Sequence, residues 1–130
     1  MLGAIVGDIV GSVYEFRNHR SKDFELFKPQ CFATDDSIMT LAIAKAVLES
    51  APDHHDLAEN AVKYMREVGQ PYPDCGYGGR FLDWMYSDHP KPYNSFGNGA
   101  AMRVSPVAYA AKSIEEVIEM SRAVTAVTHN

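Results

Sequence analysis

Cysteine is scarce in these 130 residues, with only Cys31 and Cys75, and positive charge is in deficit. Two cysteines so far apart form neither a CxxC pair nor a disulfide framework, so a reduced, cytoplasmic protein is the expectation. Twelve Lys and Arg against seventeen Asp and Glu leave a net charge of −5. That excludes a general polyanion-binding face, and with it nucleic-acid binding by the domain itself. Long apolar runs are missing too. The stretch from Met1 to Val10 is broken by Asp8, is followed by Glu15 and Arg17, and has no basic segment before it. It is neither a signal peptide nor a membrane span. Internal repeats, low-complexity segments, zinc-spaced histidine pairs, P-loops and nucleophile elbows are all absent.

What is present suffices for a core: 46% of the residues are hydrophobic, in a length normal for one domain. Their spacing is helical throughout and nowhere persuasively alternating, which predicts an all-α fold with residues 1–130 as a single helical domain. The first helix is expected over 2–16, carrying Ile5, Val6, Ile9, Val10, Val13 and Tyr14. Gly3, Gly7 and Gly11 recur every four residues on one of its faces, which predicts close approach of a neighbouring helix or a ligand. A strand plus turn competes for Leu2 to Val6. Further helices are expected from Thr34 to Leu48, from an Asp53 N-cap to Gly69, over Arg80 to Tyr86, over Gly99 to Ala111 with a bend at Pro106, and from a Ser113/Glu116 capping box to about Val127. The core is expected to draw on Ile5, Ile9, Val13, Ile38, Leu41, Leu82, Trp84, Val107 and Ile118.

Three segments carry chemistry. Thr34-Asp35-Asp36-Ser37 opens a helix. Such a run fits simple capping, with acids at the positive end of the helix dipole. It also fits a hard-cation site, because a hydroxyl and two adjacent carboxylates place several oxygens around Mg²⁺ and the cation relieves their mutual repulsion. Asp8, Gly11 and Glu15 fall on one face of the expected first helix and make a polar patch there. A solvated face accounts for Glu15 better than for Asp8, which is hemmed in by Gly7, Ile9 and Val10. Phe96-Gly97-Asn98-Gly99-Ala100-Ala101-Met102-Arg103 places small residues at a loop-to-helix junction, where exposed backbone N–H groups suit an anion such as a pyrophosphate. A tight turn packed with small residues is the plain alternative. Gly76-Tyr77-Gly78-Gly79 is a weaker version of the same loop.

Taken in order, GAIVGDIVGSVYE (3–15), TDDS (34–37) with the IMTLAIAKAVL that follows, GNGAAMRVSPVA (97–108) and Thr128-His129 resemble the ADP-ribosylglycohydrolase family, of the dinitrogenase-reductase-activating-glycohydrolase type. The resemblance covers nearly the whole chain. It implies a compact orthogonal helical domain with two Mg²⁺ ions, or Mn²⁺, in a central cleft. It further implies that Thr34, Asp35 and Asp36 ligate metal and that Glu15 lies beside the site as a ligand or acid/base group, with Glu15 or Asp35 as the catalytic carboxylate that takes a proton from water. Gly97, Asn98, Gly99, Ala100 and Met102 would line the pyrophosphate and ribose pocket, with His129 near the distal ribose. The implied substrate is ADP-ribose on a protein side chain or small acceptor, and the implied reaction is hydrolysis of that glycosidic bond.

Family members are longer, and the resemblance implies a second aspartate motif near their C-terminus that completes the metal site. The chain stops at Thr128-His129-Asn130, where a helix meets its next loop, so it reads as the N-terminal portion of the fold. Two expectations follow. One is a hydrolase in its complete form. The other is a non-catalytic truncated relative that binds ADP-ribose or serves as a structural or interaction protein, with self-association or a complementing C-terminal half as its partner.

Overall fold

A computed structural model describes residues 1–130 and contains seven helices and no strand: α1 (Leu2–Gly11), α2 (Asp35–Glu49), α3 (Leu57–Gly69), α4 (Gly79–Tyr86), α5 (Gly99–Arg103), α6 (Val107–Ala110) and α7 (Ile114–Ala126). The all-α expectation holds. The most extensive helix pairing is α2 with α3, and its sequence cause is plain. Met39, Ala42, Ile43 and Ala46 recur at i, i+3, i+4 and i+7 on α2, while Leu57, Ala61, Tyr64 and Met65 form the matching stripe on α3; all eight are buried. Alanines on both stripes let the axes approach. Trp84 and Met85 of α4, Val107 of α6, and Met120 and Val124 of α7 close the core around them. Gly69 ends α3 where there is no room for a side chain: a Cβ there would sit 2.6 Å from Met85 Sδ and 2.9 Å from Met39 Cε.

The helix starts follow their caps. Thr34 is extended and its hydroxyl accepts from the Asp36 N–H. Ser113 likewise accepts from the Glu116 N–H, and Glu116 reaches back to the N–H of Lys112 rather than of Ser113.

Four sequence expectations are corrected. The first helix ends at Gly11, not near residue 16. The Ser12 hydroxyl donates to the Ile9 carbonyl and accepts from the distant Phe32 N–H, which pins the chain in turns from there on. Glu15 therefore lies in a turn and shares no helix face with Asp8. The third helix starts at Leu57, because Ala51 to Asp56 forms turns in which His54 takes a φ of 55° and Asp56 accepts from the Ala51 N–H. The expected helix over 99–111 is two short ones, since Pro106 lacks the N–H that would join them.

The core list is corrected as well. Ile38, Trp84 and Val107 are buried and Ile5, Ile9, Val13 and Leu82 half-buried, but Leu41 and Ile118 face outward. Helix α1 buries no residue at all. Nothing in the chain lies within 4 Å of a Cβ built on Gly3, Gly7 or Gly11, so the close approach expected of that glycine face is not made by any residue described here.

Candidate functional site

Helix α1 meets the start of α2 through one side chain. The Asp8 carboxylate accepts from the Thr34 N–H at 2.9 Å and from the Ser37 N–H at 3.3 Å, and it also takes the hydroxyl protons of both Thr34 and Ser37. Oδ2 accepts three of these bonds and Oδ1 the fourth, from the Thr34 hydroxyl. Thr34 and Ser37 are almost completely buried, so these four donors have little access to water. Because its proton is given to Asp8, the Thr34 oxygen keeps its lone pairs for Asp36 N–H and for one further contact.

Asp35 and Asp36 then project from the first turn of α2. Burial raises the Asp35 carboxyl to about 6, with the charges of Asp36, Glu15 and Asp8 adding to the effect. Burial raises Asp36 as well, followed by the charges of Asp8 and Glu15. Glu15 is exposed, and its charge is among the lesser causes that raise both aspartates. No three Asp, Glu, His or Cys side chains converge closely enough to hold an ion on their own. The donor set still suits a hard cation: it is all oxygen, it is uncompensated by any basic side chain, and it includes carboxylates held above their usual range by burial and then by neighbouring negative charge.

The loop before α4 braces Asp35 from behind. The Asp35 N–H donates to the Cys75 carbonyl at 2.8 Å, and burial together with the Asp35 charge pushes the Cys75 thiol up. Gly76 has a φ of 104°, and a Cβ there would stand 3.2 Å from Asp35 Oδ1. Only glycine satisfies both conditions. Gly76→Ala should therefore lower stability by about 1–2 kcal/mol in thermal denaturation; an unchanged melting temperature would show that the turn relaxes freely.

Asp35 also lines a cavity of about 310 Å³. Its opposite wall is the loop Gly97, Asn98 and Gly99 with Met102 and His129, all anticipated from the sequence. Ala100 is half-buried and does not line it; Thr34, Asp36 and Glu15 lie outside it, on the acidic side of Asp35. Several lining residues were not anticipated. Arg80 packs over the rings of Tyr93 and Phe96, 4.9 and 5.8 Å from their centroids, and donates to the Tyr93 carbonyl. Phe96 is 91% exposed, which leaves a flat apolar surface beside a fixed cation at the mouth. Arg103 lies at the base, fully buried. Phe96 and Arg103 lie at the two ends of the loop-to-helix segment read from the sequence, without a role assigned to either, and Arg80 and Tyr93 carry no sequence signal of their own.

Comparison with known proteins shows the family. The family model ADP-ribosylglycohydrolase matches residues 1–130. Proteins named ADP-ribosylhydrolase ARH3 are similar: that of Xenopus tropicalis is 31% identical over 99% of this chain and 43% of its own length, that of Mus musculus 30% over 99% and 42%, and that of Homo sapiens 29% over 99% and 43%. The chain thus spans less than half the length of these relatives. On the match along its whole length, and on a fold and motif order that agree with it, this chain belongs to the ADP-ribosylglycohydrolase family.

Proposed function

We propose that the complete protein hydrolyses the glycosidic bond between ADP-ribose and a modified protein side chain or small acceptor, using Mg²⁺ or Mn²⁺. The observation that carries this is the double position of Asp35, which belongs to the acidic cluster and to the cavity wall facing the Gly97–Gly99 loop. A ligand held along that loop has one end beside the carboxylates. The names of the relatives support the same substrate class.

Thr34, Asp35 and Asp36 would hold the metal, which when bound supplies charge to orient ribose hydroxyls and to lower the pKa of a water. The remaining work falls to side chains. Asp8 fixes the direction of the Thr34 hydroxyl by accepting its hydrogen bond. Cleavage at the anomeric carbon develops an oxocarbenium-like charge, which the carboxylates of Asp35 and Glu15 would stabilise. That pair also supplies the group that takes the proton from attacking water. The Gly97–Gly99 loop gives backbone N–H groups to the pyrophosphate, and the exposed face of Phe96 beside Arg80 offers a stacking surface for a base.

One observation favours a second reading for the 130 residues by themselves. With no three acidic or imidazole groups converging, this portion is suited to bind ADP-ribose without turning it over. The test is hydrolysis of an ADP-ribosylated protein by the complete protein, with and without Mg²⁺ and after chelation, beside calorimetric binding of ADP-ribose to residues 1–130. Metal-dependent release of ADP-ribose by the complete protein, with binding but negligible turnover by residues 1–130, is the expected result. Turnover that is indifferent to chelation would overturn the metal assignment, and failure to bind ADP-ribose would overturn the substrate class.

A further inference from the structure

Arg103 is the most deeply buried charge in the chain, 1% exposed, and it has no carboxylate partner; the ion pairs present are Lys45 with Glu67 and His55 with Asp53. Its Nη2 donates to the Val124 carbonyl at 3.1 Å and to the Thr128 hydroxyl oxygen at 2.8 Å, while Nε has no partner. Burial lowers the guanidinium to about 10. An isolated buried cation is costly to keep, so what it touches merits close reading.

Its neighbours form a chain of hydrogen bonds leading to the cavity. The Thr128 oxygen lies 2.7 Å from His129 Nδ1, and His129 Nε2 lies 3.0 Å from the Gly97 carbonyl. Each role can be assigned from what the groups are able to do. A carbonyl only accepts, so Nε2 carries a proton. A guanidinium only donates, so one lone pair of the Thr128 oxygen is taken. The Thr128 proton then has two places to go: Nδ1 at 2.7 Å or the Thr125 carbonyl at 3.4 Å. The first is much the better bond, and it requires Nδ1 to be bare. The alternative, a doubly protonated ring, makes Thr128 accept twice and sets a second cation beside an unneutralised one.

We propose that Arg103 is a positioning residue: through Thr128 it locks His129 in the Nε2–H tautomer, and His129 in turn ties down the Gly97 carbonyl at the cavity wall. Thr128 suits the role because its own carbonyl accepts from Ser95 N–H at 3.0 Å, so one residue holds both the loop before Gly97 and the ring after it. Gly99 completes the arrangement. A Cβ there would lie 3.5 Å from Arg103 Nη1 and 3.8 Å from His129 Cε1, in ordinary van der Waals contact, so the start of α5 lies close to both groups. The benefit to a ligand is a loop whose backbone is set before binding. That benefit rests on the proposed function; the tautomer does not.

The test uses the full chain, with nitrogen NMR of the His129 ring at neutral pH and calorimetric binding of ADP-ribose. The wild type should show the Nε2–H pattern. Thr128→Val keeps the shape and the backbone bonds but removes the hydroxyl; it should yield mixed tautomers and weaken ADP-ribose binding about tenfold. Thr128→Ser should restore both readings, which a purely structural role for the methyl group would not. Arg103→Met should resemble Thr128→Val if it folds, and the threonine pair carries the test if it does not. An Nδ1–H pattern in the wild type, or an unchanged ring and affinity in Thr128→Val, would overturn the proposal. A correct tautomer in a protein that binds no ADP-ribose would support the positioning role and reject the substrate class instead.

Discussion

Asp35→Asn should make the metal-free protein more stable while it nearly abolishes hydrolysis by the complete one. The folded Asp35 carboxyl sits at about 6, against an ordinary value of 3.8, for reasons of burial and of the negative neighbours Asp36, Glu15 and Asp8. A carboxyl raised in the folded state holds its proton more tightly there than in the unfolded chain. Stability is therefore greatest below about pH 4 with respect to this group, declines as pH rises toward 6, and stays lower above it. An asparagine cannot ionise and escapes that decline. Part of the group faces solvent, so the gain at pH 7.5 is screened to about 1 kcal/mol, a rise of a few degrees in melting temperature. At pH 4 the two proteins should melt alike. Added Mg²⁺ should raise the melting temperature of the wild type and leave the variant unmoved, since a ligand stabilises only what it binds. Turnover should fall about a hundredfold or more, because the amide keeps the shape but not the charge that balances a divalent cation. Asp36→Asn should follow the same pattern. Full activity in either variant would end the metal assignment, while reduced activity with no gain in metal-free stability would place the strain elsewhere.

The site was legible in the sequence wherever its residues act through their own neighbours. Thr34 caps α2 and Asp35 and Asp36 occupy its first turn because N-terminal signals are local: the donor and the acceptor are two residues apart. The Gly97–Gly99 loop was readable for the same reason, since small residues before a helix expose backbone wherever they occur. The parts that were not legible depend on long-range pairing. Asp8 serves a helix that begins 27 residues later, and the only hint was an acid wedged between apolar neighbours. Arg103 closes on Thr128 across 25 residues, and no periodicity relates a cation in one short helix to a hydroxyl after another. The end of α1 was missed because it is set by Ser12 meeting Phe32, 20 residues away. The core is less legible: the expected list takes nothing from α3, although Leu57, Ala61, Tyr64 and Met65 form its buried stripe, and α2 is apolar on more than one side, so that Leu41 is expected inward when Met39, Ala42 and Ile43 are the residues that pack.

The residue that joins fold to site should also be among the most costly to remove. Asp8→Ala takes the acceptor away from two backbone N–H groups and two hydroxyls at once. Thr34 and Ser37 are 4% and 2% exposed, so water reaches the vacated space poorly and the donors stay partly unsatisfied. An unsatisfied buried group costs about 1–3 kcal/mol. Some of these four can turn toward other carbonyls and some can take water from the open side of α1, so the net loss should be about 2–4 kcal/mol in chemical denaturation. Asp8→Asn separates charge from geometry. Its amide oxygen can stand in for Oδ2, which accepts three of the four donors, while its NH₂ replaces Oδ1 and meets only the Thr34 hydroxyl, which is able to reverse and accept. It should lose less than half as much. The consequences for chemistry differ in kind. With Asp8 gone, the Thr34 hydroxyl is free to rotate, and one oxygen of the proposed metal-binding set loses its fixed direction. The complete Asp8→Ala protein should therefore need more Mg²⁺ for half-maximal hydrolysis even at a temperature where it is fully folded, with the added requirement shrinking in Asp8→Asn. A stability loss below about 0.5 kcal/mol in Asp8→Ala would mean that water replaces the carboxylate at little cost, and Asp8 would then be no more than a solvated acid on an exposed helix.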